Sequence, residues 1–109
     1  MNETEDLMLM TNLYPRTTGL PMVVWVGPSH GAPHDARIKV MQVHGTRMDP
    51  GSLAVIALRP RPHVVAGHLI ASDLQVVSQW IALSETAILD HWNGLTDGAE
   101  LAQQLRRLP

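Results

Sequence analysis

The chain has no cysteine and no phenylalanine, and only one tyrosine, among its 109 residues. Without a thiol there is no disulfide framework, no cysteine nucleophile and no thiolate metal site. Without phenylalanine, a core must be assembled from valine, leucine, isoleucine, the six methionines and the three tryptophans. Long apolar runs are missing too. The longest, residues 53–58, is far short of a membrane span. The first residues carry Glu3, Glu5 and Asp6 where a secretory signal would be positively charged. A cytoplasmic location, with no membrane partner, is the expectation. Signature motifs are also lacking: there is no elbow-type serine, phosphate loop, dinucleotide fingerprint or His-Glu-x-x-His zinc helix. These absences weigh against an enzyme, and no cofactor or metal is expected.

What is present points to one folded unit. A chain of this length buries roughly two thirds of its unfolded surface without covalent help. The longest periodic segment, residues 72–95 (SDLQVVSQWIALSETAILDHWNGL), has the spacing of an amphipathic helix. At about 100° per residue, Leu74, Val77, Ile81, Ile88, Trp92 and Leu95 share a narrow arc, which is the expected buried seam. Val76, Trp80, Leu83 and Ala87 form a second apolar band beside it, wider than a one-sided helix needs. Ser72 and Gln75 have capping-box spacing, and Asn93-Gly94 supplies a stop. Ser84 has the chemistry to cap a second helix, so the segment reads as one long helix or two.

Ahead of it lie strand-like runs. Residues 22–26 (MVVWV), 37–43 (RIKVMQV), 53–58 (LAVIAL) and 63–70 (HVVAGHLI) are rich in β-branched and apolar residues and are separated by Gly, Pro and Asp turns. In the second run Ile38 and Val40 alternate with Arg37, Lys39 and Met41, the mark of a strand with one wet face. Gly67 in the fourth allows a bulge or a close backbone approach. Short connections favour an antiparallel meander. After the helix, Asp97 and Glu100 have capping-box spacing for a short terminal helix, with Leu101, Leu105 and Leu108 inward and Arg106 and Arg107 at its end. The expected architecture is α+β: about four antiparallel strands, a long helix on one face and a short last helix. Residues 13–109 form the single domain, and residues 1–12, acidic and then Met-rich, form a flexible N-terminal tail.

Charge is unevenly placed. Residues 12–70 carry Arg16, Arg37, Lys39, Arg47, Arg59 and Arg61 against Asp35 and Asp49, a balance of +4. Residues 71–105 carry Asp73, Glu85, Asp90, Asp97 and Glu100 with no basic residue, a balance of −5. Attraction between the two layers explains this simply, although surface pairs contribute little. A basic sheet face that meets an acidic partner or a nucleic-acid backbone is the functional reading, with Arg16, Arg37, Lys39, Arg59 and Arg61 as its anion-binding candidates.

Catalytic residue types concentrate in one loop, Ser29-His30-Gly31-Ala32-Pro33-His34-Asp35, followed by Arg37. Imidazoles titrate near neutrality, so His34 and His30 are candidates for acid–base work and Arg37 for holding an anion. Exposed loop histidines are more often solvated turn residues. Among the others, His68 is expected half-buried and His91 at the edge of the helix seam with a wet tip.

The Pro33-His34 pair after the first hydrophobic strand, a further strand, Gly67 in AGHLIASDL, and a helix with Trp80 that ends Leu89-Asp90-His91-Trp92 resemble a family of small bacterial proteins classed as a domain of unknown function. The resemblance covers residues 14–95, and His34 and Trp92 match best. It implies a compact α+β unit, often encoded beside another small protein in pairs like toxin–antitoxin modules. Members often carry His-x-His after the proline. Ala36 occupies the second position here, and a lone imidazole cannot chelate a metal. Two functional expectations follow. The first is a non-enzymatic protein-interaction or self-association module, a homo-oligomer or the companion of a small protein, using Val76, Trp80, Leu83 and Ala87. The second is a toxin-like RNA-binding or RNA-cleaving protein that holds phosphates with its arginines and uses His34 as acid or base.

Overall fold

The computed structural model describes residues 10–109. Five strands, β1 (Thr11–Leu13), β2 (Val24–Val26), β3 (Arg37–Met41), β4 (Leu53–Ala57) and β5 (His63–Ala66), form one sheet. They lie in the order β1-β2-β3-β4-β5, every neighbouring pair antiparallel. A single turn of helix, α1 (Pro15–Thr18), follows β1; α2 (Ala71–Trp92) and α3 (Gly98–Gln104) complete the chain. The fold is the expected α+β meander with one more strand. β1 is too short to show alternation in sequence; its three residues are defined by pairing with β2. Of the tail expected over 1–12, residues 1–9 lie outside the described residues, and Thr11 and Asn12 belong to β1.

The pleat sorts side chains as the alternation at Ile38 and Val40 predicts. Register places Val24, Val26, Ile38, Val40, Ala54 and Ile56 on one face, all buried under the helical layer. The outer face carries Asn12, Trp25, Arg37, Lys39, Met41, Leu53, Val55 and Ala57. It is not wholly wet. Trp25, Met41 and Leu53 are buried there, and Met10 and Tyr14 pack against the core from its β1 side. At Gly67 the chain makes the close approach: φ is +74°, and a Cβ there would stand 2.3 Å from the Leu53 carbonyl oxygen. The β4–β5 register shifts beside it, between Val55 and Ile56.

The long segment is one unbroken helix. Ser72 does not cap it; Ile70 stands at the N-cap without a side-chain bond, and Ser72 is inside the first turn. The stop at Asn93-Gly94 is as expected. Gly94, at φ +78°, donates to the His91 carbonyl at 3.1 Å and Leu95 donates to that of Asp90 at 2.9 Å, the paired bonds of a Schellman closure. α3 has its capping box, with Glu100 N–H donating to Asp97 Oδ1 at 2.8 Å and Asp97 N–H donating to Glu100 Oε1 at 3.1 Å.

The two apolar bands of α2 are a single buried face. Trp80 and Ala87 from the second band are buried beside Val77, Ile81 and Ile88 from the seam, while Leu74 and Trp92 are only half-buried and Leu95 is 70% exposed. Between the bands, in the middle of the buried arc, stand Asp73, Ser84 and His91, also buried. These polar residues split the face when it is read from sequence. Each holds one connection. Asp73 takes His44 from the β3–β4 loop, with Nε2 3.0 Å from both carboxylate oxygens. His91 Nδ1 bonds the Thr96 carbonyl at 3.0 Å, within the α2–α3 turn. Ser84 Oγ accepts from Arg106 N–H at 3.0 Å and donates to the Arg106 carbonyl at 3.3 Å. Ser84 is therefore a clasp for the C-terminal strap, not a cap.

The strap, residues 105–109, continues past Ser84 to α1. Leu108 N–H donates to the Thr18 carbonyl at 2.8 Å. The Arg107 guanidinium donates to the Arg16 carbonyl at 3.2 Å. Arg106 and Arg107 thus lie beyond α3, which ends at Gln104, and do not complement its dipole. Leu101 and Leu108 are buried and Leu105 half-buried, as the spacing predicted.

Candidate functional site

The loop that concentrates catalytic residue types, residues 27–36, is built on a tight turn. His30 (φ +47°) and Gly31 (φ +73°) occupy its centre, and Ala32 N–H donates to the Ser29 carbonyl at 2.9 Å. Positive φ at both central residues is the type I′ pattern, which glycine accepts freely and histidine more readily than most. Ser29 N–H donates to the Trp92 carbonyl at 2.9 Å, satisfying one of the open carbonyls at the end of α2. The His34 ring then packs on Trp92, with centroids 5.6 Å apart and planes tilted by 36°. Its Nδ1 is 2.9 Å from the Asp35 carbonyl oxygen, which can only accept, so Nδ1 carries the proton of that bond.

Asp35 is gripped by Arg59 from the β4–β5 connection. Nε donates to Oδ2 at 2.8 Å and Nη2 to Oδ1, a bidentate pair. That hydrogen bond, with help from the Ala36 backbone N–H, holds the Asp35 carboxyl below its usual range. The same contact raises the Arg59 guanidinium above its usual value. Loop 27–36, the β4–β5 hairpin tip and the end of α2 are thereby tied at one end of the sheet.

The candidate residues divide between separate surfaces. His34 lies against α2, whereas Arg37 is on the outer face of β3. Arg16 is past the opposite end of β1, its guanidinium carbon 4.5 Å from the Tyr14 ring centroid. His34, Arg37 and Arg16 therefore do not converge on one concave surface, and His30 stays exposed in its turn. The interface band is closed in the same way: Trp80 and Ala87 are interior, Val76 is half-buried and only Leu83 is open, at 42% exposure. An open depression of about 550 Å³ on the solvent side of α2, lined by Ala71, Leu74, Gln75, Ser78, Gln79 and Ala82, contains none of the candidates.

The basic candidates do come together in part. The register aligns Arg37 with Ala57 and Ala57 with His63, so Arg37 and His63 flank one small residue on the outer face. Arg61 is exposed at the hairpin tip just before β5, and its carbonyl accepts from His63 Nδ1 at 2.7 Å. Lys39 lies one pleat further along, between Trp25 and Val55. Among the described residues neither Arg37 nor Arg61 has a carboxylate partner. Arg59 is spent on Asp35.

Two readings of histidine are corrected. His68 is exposed rather than half-buried, and His91 is fully inside rather than wet at its tip. The Asp73–His44 pair went unread because 29 positions separate its members. An aspartate in the first turn of a helix was its only trace. No group of three or more His, Cys, Asp or Glu side chains able to hold a metal occurs among the described residues. No helix of the described chain is long and apolar enough to cross a membrane. Neither the models of protein families, nor curated proteins, nor solved structures contain a match to this chain.

Proposed function

We propose that this chain is a non-enzymatic protein-interaction module that binds an acidic segment of a partner protein on the outer face of its sheet. The observation that carries this reading is the cross-strand row of Arg37, Ala57 and His63, with Arg61 beside it and no carboxylate paired to either arginine among the described residues. Guanidinium groups pair with carboxylates bidentately, and Ala57 leaves room between the two arms of the row. The Asp35–Arg59 pair supports the site indirectly. It removes the carboxylate nearest in sequence as a competitor and fixes the hairpin that carries Arg61.

A polypeptide fits this surface better than a nucleic acid. Single-strand binding draws on aromatic platforms, and Trp25, the tryptophan on this face, is only 4% exposed. Catalysis by His34 has no support from the row, because its ring is on the helical side.

Fluorescence anisotropy with a glutamate-rich peptide and a single-stranded RNA of equal length, at about 50 mM salt, tests the reading. The peptide is expected to bind more tightly than the RNA. Arg37→Glu with Arg61→Glu should weaken it by about tenfold or more, the scale of two lost charge contacts. Preference for RNA, or unchanged peptide affinity in the double variant, overturns the proposal.

A further inference from the structure

We infer that the acidic segment enters as an added strand, pairing with the open edge of β5 so that its carboxylates join the basic row and its alternate side chains cover Val64. This rests on the reading of the row as a site for acidic polypeptide, and adds how that polypeptide is held and what pattern it must carry.

β5 ends the sheet, with β4 on one side and no strand on the other among the described residues. Its edge is uncovered: His63, Val65 and Ala66 are exposed, Val65 at 38%. Such an edge offers backbone N–H and C=O groups to any extended chain, and native edges are commonly blunted by lysine, proline or inward-pointing charge. Residues 63–66 (HVVA) contain none of these. A different device is present. Val55 pairs with Ala66 and Ile56 with Val64, so Val65 is an extra residue with no partner on β4. A bulge of this kind twists the end of the strand and interrupts its flat run, so β5 takes a short strand and resists extension into a stack of copies.

Charge selects the occupant. Residues 50–72, from the turn before β4 to the first turn of α2, contain no carboxylate, and Arg59, Arg61, His63 and His68 lie among them. The Asp35 carboxylate, which meets the hairpin, is bound by Arg59. A second copy of β5 would bring Arg61 and His63 again, whereas an acidic strand complements them.

Pairing with β5 also dictates the partner's pattern. Successive side chains of a strand point to opposite faces. His63 is on the outer face in the row with Arg37 and Ala57, and Val64, opposite Ile56, is on the inner face, half-buried against the core. A partner residue set beside His63 therefore joins the basic row, close to Arg61, while the next one falls beside Val64 and completes its burial. Carboxylate and apolar side chains must alternate. Arg37, about 14 Å away across three strand spacings, adds attraction at low salt. Backbone pairing supplies affinity and the alternate side chains supply selection, as in other cases of strand addition.

Fluorescence anisotropy with an alternating glutamate–valine peptide, labelled and at trace concentration in low salt, tests this against an isomer of the same composition with its glutamates in one block. The alternating peptide is expected to bind about tenfold more tightly. Two further versions carry N-methyl groups, one on the glutamates and the other on the valines. In an edge-paired strand the N–H groups of one set point at β5 and those of the other point away, so one version should lose about tenfold or more and the other keep its affinity. Amides within residues 63–66 of the native protein should gain hydrogen-exchange protection on binding. Equal effects of the two methylations, or no added protection in 63–66, with binding still lost in Arg37→Glu/Arg61→Glu, overturn the edge contact and leave the proposed function standing. Protection of 63–66 that grows with protein concentration in the absence of peptide overturns the acidic occupant in favour of a second copy. No binding of either isomer overturns the proposed function, and the strand addition with it.

Discussion

Trp80 has a buried indole N–H with no acceptor among the described atoms, in a side chain that is 0% exposed. An unpaired buried donor costs about 1–3 kcal/mol, so the ring is retained for its volume. Trp80→Phe removes the orphan donor and leaves most of the ring, and is expected to cost less than about 2 kcal/mol. Trp80→Ala opens a cavity and should cost about 3–5 kcal/mol. Chemical denaturation of the three proteins measures both, and equal losses for Phe and Ala would show that the N–H has a partner. Asp35 carries a second residue-level consequence. Arg59 holds its carboxyl below the ordinary value of 3.8 in the folded chain. A depressed carboxyl stabilises the fold above that ordinary value and loses its contribution as pH falls through the lower, folded one. Asp35→Asn should therefore flatten the acid limb of the stability–pH profile below about pH 4, with little change in its shape near neutrality, and high salt should shrink the difference because both partners are half-exposed. At this scale sequence reading was least informative. Asp35 and Arg59 meet because the β2–β3 and β4–β5 connections share one end of the sheet, and Asp73 and His44 because the first turn of α2 lies against the β3–β4 loop at the other end; spacing carries no trace of either.

At the scale of elements, α2 shows why a correct helix gave an incorrect interface. Its closing glycine was readable, since it depends on neighbours within one turn, whereas its start was not, because Ile70 and not Ser72 stands at the N-cap. Its buried face was not, because Asp73, Ser84 and His91 interrupt the apolar pattern along the line that faces inward. A polar residue at such a position counts as solvent-facing unless its partner is known, and the partners come from three separate connections. β1 was missed for the opposite reason, being too short to carry a period. Alternation in β3 and the continuous apolar run of β4 were legible because both are long enough to express one. The Ser84 clasp supplies two hydrogen bonds to the start of the strap, beside those of Leu108 to Thr18 and Arg107 to Arg16 further along. Ser84→Ala leaves the Arg106 N–H and carbonyl without that partner and should destabilise the chain by about 1–2 kcal/mol. More diagnostically, hydrogen exchange at Arg106 and Leu108 should speed up well beyond that at β3 and β4, because opening of the strap becomes a local event. Uniform acceleration across the chain would mean that the strap and the sheet open together.

On the scale of the whole molecule, charge asymmetry and architecture combine. A reading of +4 and −5 halves suggests two layers held by mutual attraction, yet between the β3–β4 loop and α2 the contact is the partly exposed His44–Asp73 hydrogen bond. Arg37 and Lys39 face outward from the sheet, while Glu85, Thr86 and Gln79 are on the solvent side of α2 with the sheet and core between. The basic row of the sheet and the exposed carboxylate of Glu85 therefore lie on different faces of the molecule. Extents of 26–32 Å exceed the Debye length of about 10 Å at 0.1 M salt, so each surface presents its own sign to a partner. Retention on ion exchangers follows the patch and not the sum. At pH 7 and low salt this chain is expected to bind a cation exchanger despite a formal charge of −2, and to bind an anion exchanger as well. Arg37→Glu with Arg61→Glu should abolish the first and strengthen the second. Equal retention of the native chain and the double variant on the cation exchanger would show that the basic row is not a distinct surface.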